Sequence, residues 1–206
     1  MSKLRFISEA IFLLLFGILL WQGRLQVWVL FWMVGIVTSL LFSRFYCGWA
    51  CPMGSLMRIQ SWIYEKLNLS RYGMGRKLFV SILRALLLII FLAGMVAVRG
   101  FGLRLNIILM LVALGVLVSF FLQENFWHRV CPHGTVLKYS SKPARYGMDI
   151  AEDDCTGCGL CQEACPNEAI TTRKDSKIRV IDGEECLVCF DCQKVCPVEA
   201  VQYGKI

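Results

Sequence analysis

Eight of the eleven cysteines in this chain fall into two runs of identical spacing near its C-terminal end. The first is Cys155-Thr-Gly-Cys158-Gly-Leu-Cys161-Gln-Glu-Ala-Cys165-Pro166, and the second is Cys186-Leu-Val-Cys189-Phe-Asp-Cys192-Gln-Lys-Val-Cys196-Pro197. Both read C-x2-C-x2-C-x3-C-P. Three thiolates at x2 spacing can wrap a tight loop around one iron–sulfur cluster, corner by corner. The extra residue and the proline then turn the chain away, so the fourth thiolate can reach a neighbouring cluster. Zinc ribbons use pairs of C-x2-C, and a disulfide framework has no need of two complete runs each closed by C-P. The spacing therefore predicts two [4Fe-4S] clusters.

The runs resemble those of bacterial two-cluster ferredoxins. That resemblance implies a crossed ligand set: Cys155, Cys158, Cys161 and Cys196 for cluster one, and Cys186, Cys189, Cys192 and Cys165 for cluster two. The two halves repeat at an offset of 31, from Cys155 to Cys186, Pro166 to Pro197 and Ala169 to Ala200. Short helical turns are expected at Asn167–Ile170 and Val198–Val201 after each C-P, and short strands at residues 146–150 and 178–181. Residues 146–206 thus read as a small α+β ferredoxin domain, held together by its clusters more than by its core.

The elements that must position this domain are of another kind. Of the 206 residues, 57% are hydrophobic, and the mean hydropathy is +0.58. The net charge of +7 hides a split: residues 1–145 carry sixteen Lys/Arg and three Asp/Glu, while residues 146–206 carry six and twelve. The basic residues lie between long apolar runs, which points to lipid headgroups rather than to nucleic acid. Apolar runs at about residues 6–21, 25–45, 78–98 and 105–122 each approach the ~20 residues a helix needs to cross a bilayer. The first is not followed by a small-residue cleavage pattern and runs through Gln22-Gly23-Arg24 into the second. Trp21, Trp28 and Trp32 read as an interfacial aromatic belt around that hairpin. Lys and Arg concentrate in the N-terminal tail, in the loop between the second and third runs, and after the fourth. The positive-inside rule then places both termini and the ferredoxin in the cytoplasm of a bacterium or archaeon, on its inner membrane. Leu56, Ile59, Ile63 and Leu67 recur at helical spacing. They predict a helix lying on the inner membrane surface, or packed in the cytoplasm. Arg84, two turns into the third run, is expected to snorkel to the inner headgroups, with a quinone or proton-path role as the alternative.

A second repeat, at an offset of 80, runs through this half. Phe45-Tyr46-Cys47-Gly48-Trp49-Ala50-Cys51-Pro52-Met53-Gly54-Ser55 matches Asn125-Phe126-Trp127-His128-Arg129-Val130-Cys131-Pro132-His133-Gly134-Thr135. Residues 1–145 are therefore expected to form four transmembrane helices as two parallel hairpin repeats, each ending in C-P-x-G-[ST]. Trp127 stands where the first element has Cys47, which leaves three thiols. Cys47, Cys51 and Cys131 could hold a third metal or iron–sulfur centre, with His128, His133 or a group from outside the chain as fourth ligand. Alternatively, they are inert small hydrophobes or a thiol-redox group. Both histidines are expected at the inner surface. That leaves no haem-ligating pair within the membrane, and no dinucleotide fingerprint is visible.

Four apolar runs, paired C-P elements and a C-terminal ferredoxin together resemble NapH-type membrane ferredoxins. These are the quinol-dehydrogenase subunits that accompany periplasmic nitrate reductases, and the same module occurs in nitrous-oxide-reductase maturation and methylamine-dehydrogenase systems. The resemblance implies an electron-transfer subunit of a quinol-linked membrane complex, with the quinone pool and other redox subunits as partners. An assembly factor that reduces a metal or thiol, or an anchor for a soluble oxidoreductase, is the competing expectation.

Overall fold

The computed structural model of the protein describes residues 2–73, 77–101 and 106–206. Met74, Gly75 and Arg76 at the expected break before the third run, and Arg104 and Leu105 around the start of the fourth, lie outside these residues. Helix α1 (Ser2–Trp21) and α2 (Trp28–Phe42) are joined by a 3-10 turn at Leu25–Val27. Two further helices follow, α3 (Phe45–Trp49) and α4 (Pro52–Lys66). The pattern then recurs as α5 (Lys77–Gly100), α6 (Ile107–Phe121), α7 (Glu124–Val130) and α8 (Pro132–Ser140). The remainder is β1 (Tyr146–Ile150), α9 (Leu160–Glu163), β2 (Ile170–Thr172), β3 (Arg179–Ile181), α10 (Asp191–Val195) and β4 (Val201–Lys205).

Three stretches are long and apolar enough to cross a membrane: Lys3–Trp21, Leu25–Phe42 and Phe79–Val98. The fourth apolar helix, α6, has 15 residues. At 1.5 Å per residue that is roughly 22 Å, short of the ~30 Å of a bilayer's hydrocarbon. Local signals fix the ends of these helices. Asn106 caps α6, its side chain accepting from the Leu109 amide at 3.3 Å. Ser43, in the left-handed region at φ 56°, stops α2. Pro52 and Pro132 open α4 and α8, where a missing amide hydrogen costs nothing.

The short helices turn back along the long ones. Tyr46 on α3 lies against Gly35 in the middle of α2, where an added Cβ would stand 2.8 Å from the Tyr46 ring. Trp28, at the start of α2, donates to the Tyr46 hydroxyl at 2.8 Å. Helix α4 then runs along α6 and α1, and α8 along α2 and α5. Two contacts sit at corresponding places of the 80-residue repeat: the Ser39 and Ser140 hydroxyls meet at 2.5 Å, and the Ser119 hydroxyl donates to Gln60. Helix α4 forms where the spacing predicted one, with its apolar face turned outward and its other face packed on the long helices. Ile59, Trp62, Ile63 and Leu67 are exposed, whereas Met53, Gly54, Ser55, Met57 and Gln60 are buried. Small and polar residues face α6 because they let two backbones approach closely and bond across the gap. The aromatic belt is likewise only partly present. Trp21 is 92% exposed, but Trp28 is buried against Phe12, Phe16 and Phe31.

In the C-terminal part, β1 pairs antiparallel with β4, from Tyr146 opposite Lys205 to Ile150 opposite Val201. Strand β2 pairs with β3, from Ile170 opposite Ile181 to Thr172 opposite Arg179. The 31-residue repeat maps β1-α9-β2 onto β3-α10-β4, so each two-stranded sheet takes one strand from each half. The expected helical turns after C-P are instead tight turns, with Glu168 and Glu199 at φ 51° and 53°. The helices lie one step earlier, between the third and fourth cysteines, because proline and a left-handed residue cannot continue a helix.

Candidate metal centres

The interlocked halves enclose two cavities. One is lined by Cys155, Cys158, Cys161 and Cys196, with Ile150 and Val201 behind them. The other is lined by Cys165, Cys186, Cys189 and Cys192, with Met148 and Ile170 behind. Each gathers three cysteines of one run and the fourth of the other. The strand exchange that pairs β1 with β4 carries Cys196 across, and that of β2 with β3 carries Cys165.

The loops are shaped to turn amides inward. Gly157 and Gly159 take φ of 71° and 90°, and their repeat partners Val188 and Phe190 take 52° and 62°. A β-branched residue in this region is strained, so Val188 must be held there by its surroundings. Its amide donates to the Cys186 sulfur at 3.4 Å, and the Ala169 amide to the Cys165 sulfur at 3.2 Å. Burial pushes the Cys186 thiol up to about 11, and burial with the neighbouring Cys186 and Cys165 pushes Cys192 to about 12. Such thiols ionise only when a cation compensates. Among the described residues no three His, Cys, Asp or Glu side chains converge on a single ion, as a zinc site with its ~2.3 Å zinc–sulfur bonds would require. Four thiols spread around a largely apolar cavity fit a larger, positively charged iron core.

The loop carrying Cys186 and Cys189 is seated on the helices. The Trp49 indole donates to the Val188 carbonyl at 2.9 Å, and Gly48 lies so close to the Leu187 carbonyl that a Cβ would collide with it. Arg5 donates to the Cys189 carbonyl and pairs with Asp191 at 3.0 Å. Glu185, next to Cys186, is met by Arg44 at 3.0 Å, Arg84 at 2.8 Å and Lys138 at 2.7 Å. Burial alone would raise its carboxyl, but bonds from Arg84 and Lys138 and the charges of Arg44 and Arg84 hold it at about 2. Arg84 thus does not snorkel to headgroups. A fixed carboxylate and the Arg129 carbonyl, at 2.5 Å, satisfy it instead. Glu185, Arg44, Arg5 and Trp49 escape sequence reasoning, since Glu185 differs little from Asp154 at the same place in the first run.

Behind this seat lie the remaining thiols. Burial raises Cys47 and Cys51, and the charges of Cys47 and Cys131 raise Cys51 further. Burial also pushes Cys131 up to about 11. The three are therefore neighbours. Arg44 connects them to the ferredoxin: its guanidinium bonds Glu185 at 3.0 Å, and its charge counters the effect of burial on the Cys47 thiol. Trp127 is buried, and its indole nitrogen has no partner. His128 lies against Gly54, and burial lowers it to about 3. His133 is not at an outer surface but between Trp32 on α2, with ring centres 4.7 Å apart, and Phe91 on α5, at 4.9 Å. The sequence shows nothing of these contacts, because the turning back of α3 and α7 along the long helices leaves no compositional mark.

Comparison with known proteins matches both halves to iron–sulfur domains. A 4Fe-4S dicluster domain model matches residues 154–200, and a 4Fe-4S binding domain model matches residues 25–70 and 105–146. The chain is a ferredoxin-type iron–sulfur protein. It is 28% identical over 156 residues to an uncharacterized protein of Methanocaldococcus jannaschii, covering 72% of this chain and 61% of the relative. It is 26% identical over 146 residues to the methylamine utilization ferredoxin-type protein MauN of Methylorubrum extorquens, covering 63% and 50%. It is 28% identical over 137 residues to MauN of Methylobacillus flagellatus, covering 60% and 48%. The matches span 48–61% of the length of these relatives. No solved structure matches.

Proposed function

We propose that this chain is a membrane-anchored relay that passes single electrons between the quinone pool and a partner oxidoreductase. The observation that carries this reading is the seat of the Cys186–Phe190 loop on Gly48 and Trp49, beside Cys47. One cluster cavity is thereby held against the apolar helices and the other kept away from them. Cluster one takes Cys155, Cys158, Cys161 and Cys196, and cluster two takes Cys186, Cys189, Cys192 and Cys165. Each cluster, when bound, accepts or gives one electron, which lets a two-electron quinol be handled in steps. The chain's own part is to hold the thiolates, turn amides toward their sulfurs and fix cluster two against the helices. Residues 1–145 form the membrane domain as two parallel hairpins, with α6 completing the second, and residues 146–206 form the ferredoxin domain on the cytoplasmic side. The paired serine contacts and the match of residues 25–70 and 105–146 to one family model support the repeat.

Cys47, Cys51 and Cys131 form a third centre on this reading, favoured by the 4Fe-4S description of the model that covers both C-P elements. The competing reading, an accessory protein that reduces a metal or thiol, draws on the same three buried thiols. Anaerobic purification with iron analysis separates them. Two clusters require about eight irons per chain and three about twelve. A value near eight that is unchanged in Cys131→Ala removes the third centre. Loss of turnover in Cys158→Ser and in Cys189→Ser, with the helices still inserted, supports the relay. Turnover that survives both excludes it.

A further inference from the structure

The three stretches long and apolar enough to cross a membrane hold one acidic residue between them, Glu9 on α1. An ionisable group inside a span is costly and, where it is kept, points to function. Glu9 lines a groove of about 490 Å³ between α1 and α4. Phe6, Ala10 and Leu13 form one wall, and Ile59 and Trp62 the other. Phe6, Ile59 and Trp62 are exposed, so on the membrane reading the groove opens to lipid. Its polar residues are Glu9, Arg58 and Ser55. Arg58 Nη1 meets Glu9 Oε1 at 2.6 Å, and Arg5 Nε meets the same oxygen at 3.2 Å. A support built only of ion pairs would be closed over. Here 29% of the Arg58 side chain and 11% of the Glu9 side chain stay accessible, and both line the opening.

The groove also borders the cluster-binding part of the chain. Arg5, which meets Glu9 through Nε, donates through Nη1 to the Cys189 carbonyl and pairs with Asp191 at 3.0 Å. One guanidinium thus separates the carboxylate in the groove from the loop that carries Cys189. On α4, the Ser55 hydroxyl donates to the Cys51 carbonyl at 3.3 Å, which sets the groove one helical turn from the buried thiols. An acyl chain would match the walls but leave Arg58 and Glu9 facing hydrocarbon, and a phosphate headgroup would meet a carboxylate. A flat neutral ring bearing oxygens suits both, since a guanidinium has five N–H groups to donate and a carboxylate accepts from a hydroxyl. Phe6 and Trp62 offer such a ring aromatic surface, and Leu13 a path for an apolar tail.

We propose that the groove between α1 and α4 binds the ring of a membrane quinone, one oxygen accepting from Arg58 and, in the quinol form, a hydroxyl donating to Glu9. This rests on the relay reading and assigns its site. The test is photolabelling of the full chain in lipid nanodiscs with an azido-substituted short-chain benzoquinone, followed by peptide mapping. Label is expected on the α1 and α4 peptides around Glu9 and Trp62, competed by unlabelled quinone and not by added phospholipid. Arg58→Met, which keeps the length of the side chain and removes its donors, should weaken labelling about ten-fold, the scale of one lost hydrogen bond to a charged group. Ile59→Trp, at an exposed position on the wall, should block it by bulk alone, and unchanged iron content shows that either variant is folded. Label confined to the α2 and α5 peptides overturns this site while leaving the relay intact. Competition by phospholipid, or labelling that Arg58→Met and Ile59→Trp both leave unchanged, likewise overturns the site. No specific label anywhere overturns both readings.

Discussion

Glu185 joins the two halves. Its carboxylate takes Arg44 from the turn between α2 and α3, Arg84 from α5 and Lys138 from α8, and Arg44 is 1% exposed. Removing one member of such a group leaves a buried charge uncompensated, at a cost of about 3–5 kcal/mol. Glu185→Gln should therefore loosen the seat, read as faster amide exchange at Leu187–Phe190 with both ferredoxin clusters retained. The pH dependence has a definite sign. The folded carboxyl sits at about 2, below its ordinary 4.5. Its contribution is complete above 4.5 and is lost as the pH falls through about 2. Seating should hold from neutrality down to about pH 5 and weaken below, and Glu185→Gln should flatten that acid limb. Unchanged exchange in the variant would show that Trp49 and Arg5 suffice.

At the scale of elements, the cysteine spacing was enough to predict the two-cluster domain, because ligand geometry leaves a run of C-x2-C-x2-C-x3-C-P few alternatives. Strands β1 and β3 were legible from their apolar pattern. What the sequence hid was the packing of α3, α4, α7 and α8. On α4 the outward face is apolar (Ile59, Trp62, Ile63) and the face against α6 carries small and polar residues (Gly54, Ser55, Gln60), a division that apolar spacing alone does not reveal. Arg84 was expected at the headgroups and instead pairs with Glu185, a partner 101 residues away that local spacing cannot show. The packing makes its own prediction. A methyl on Gly35 meets the Tyr46 ring, and one on Gly115 meets Met53 and Trp127. Gly35→Ala and Gly115→Ala should each destabilise by about 1–3 kcal/mol in denaturant titrations in mild detergent. Gly17→Ala in α1, where nothing lies within 4 Å, should be neutral or slightly stabilising. Equal effects at all three would contradict the turned-back helices.

For the whole molecule, the charge split follows the division of labour between a basic helical half and an acidic cluster domain, joined by ion pairs at the seat. The proposed orientation predicts that a reporter active only outside the cytoplasm is silent when fused after Ile206 and active when inserted near Arg24. The reverse would move the redox partner to the other side of the membrane. Electron exchange between quinone and clusters through this chain is the central claim, and it is best tested in a single turnover. The full chain in nanodiscs is reduced chemically, freed of reductant and mixed anaerobically with a short-chain quinone while the visible absorption of the clusters is followed. The relay predicts complete reoxidation at a rate that saturates with quinone and is abolished in Cys189→Ser, which interrupts cluster two. Absence of reoxidation, or a rate that climbs linearly with quinone and is indifferent to Cys189→Ser, would contradict it.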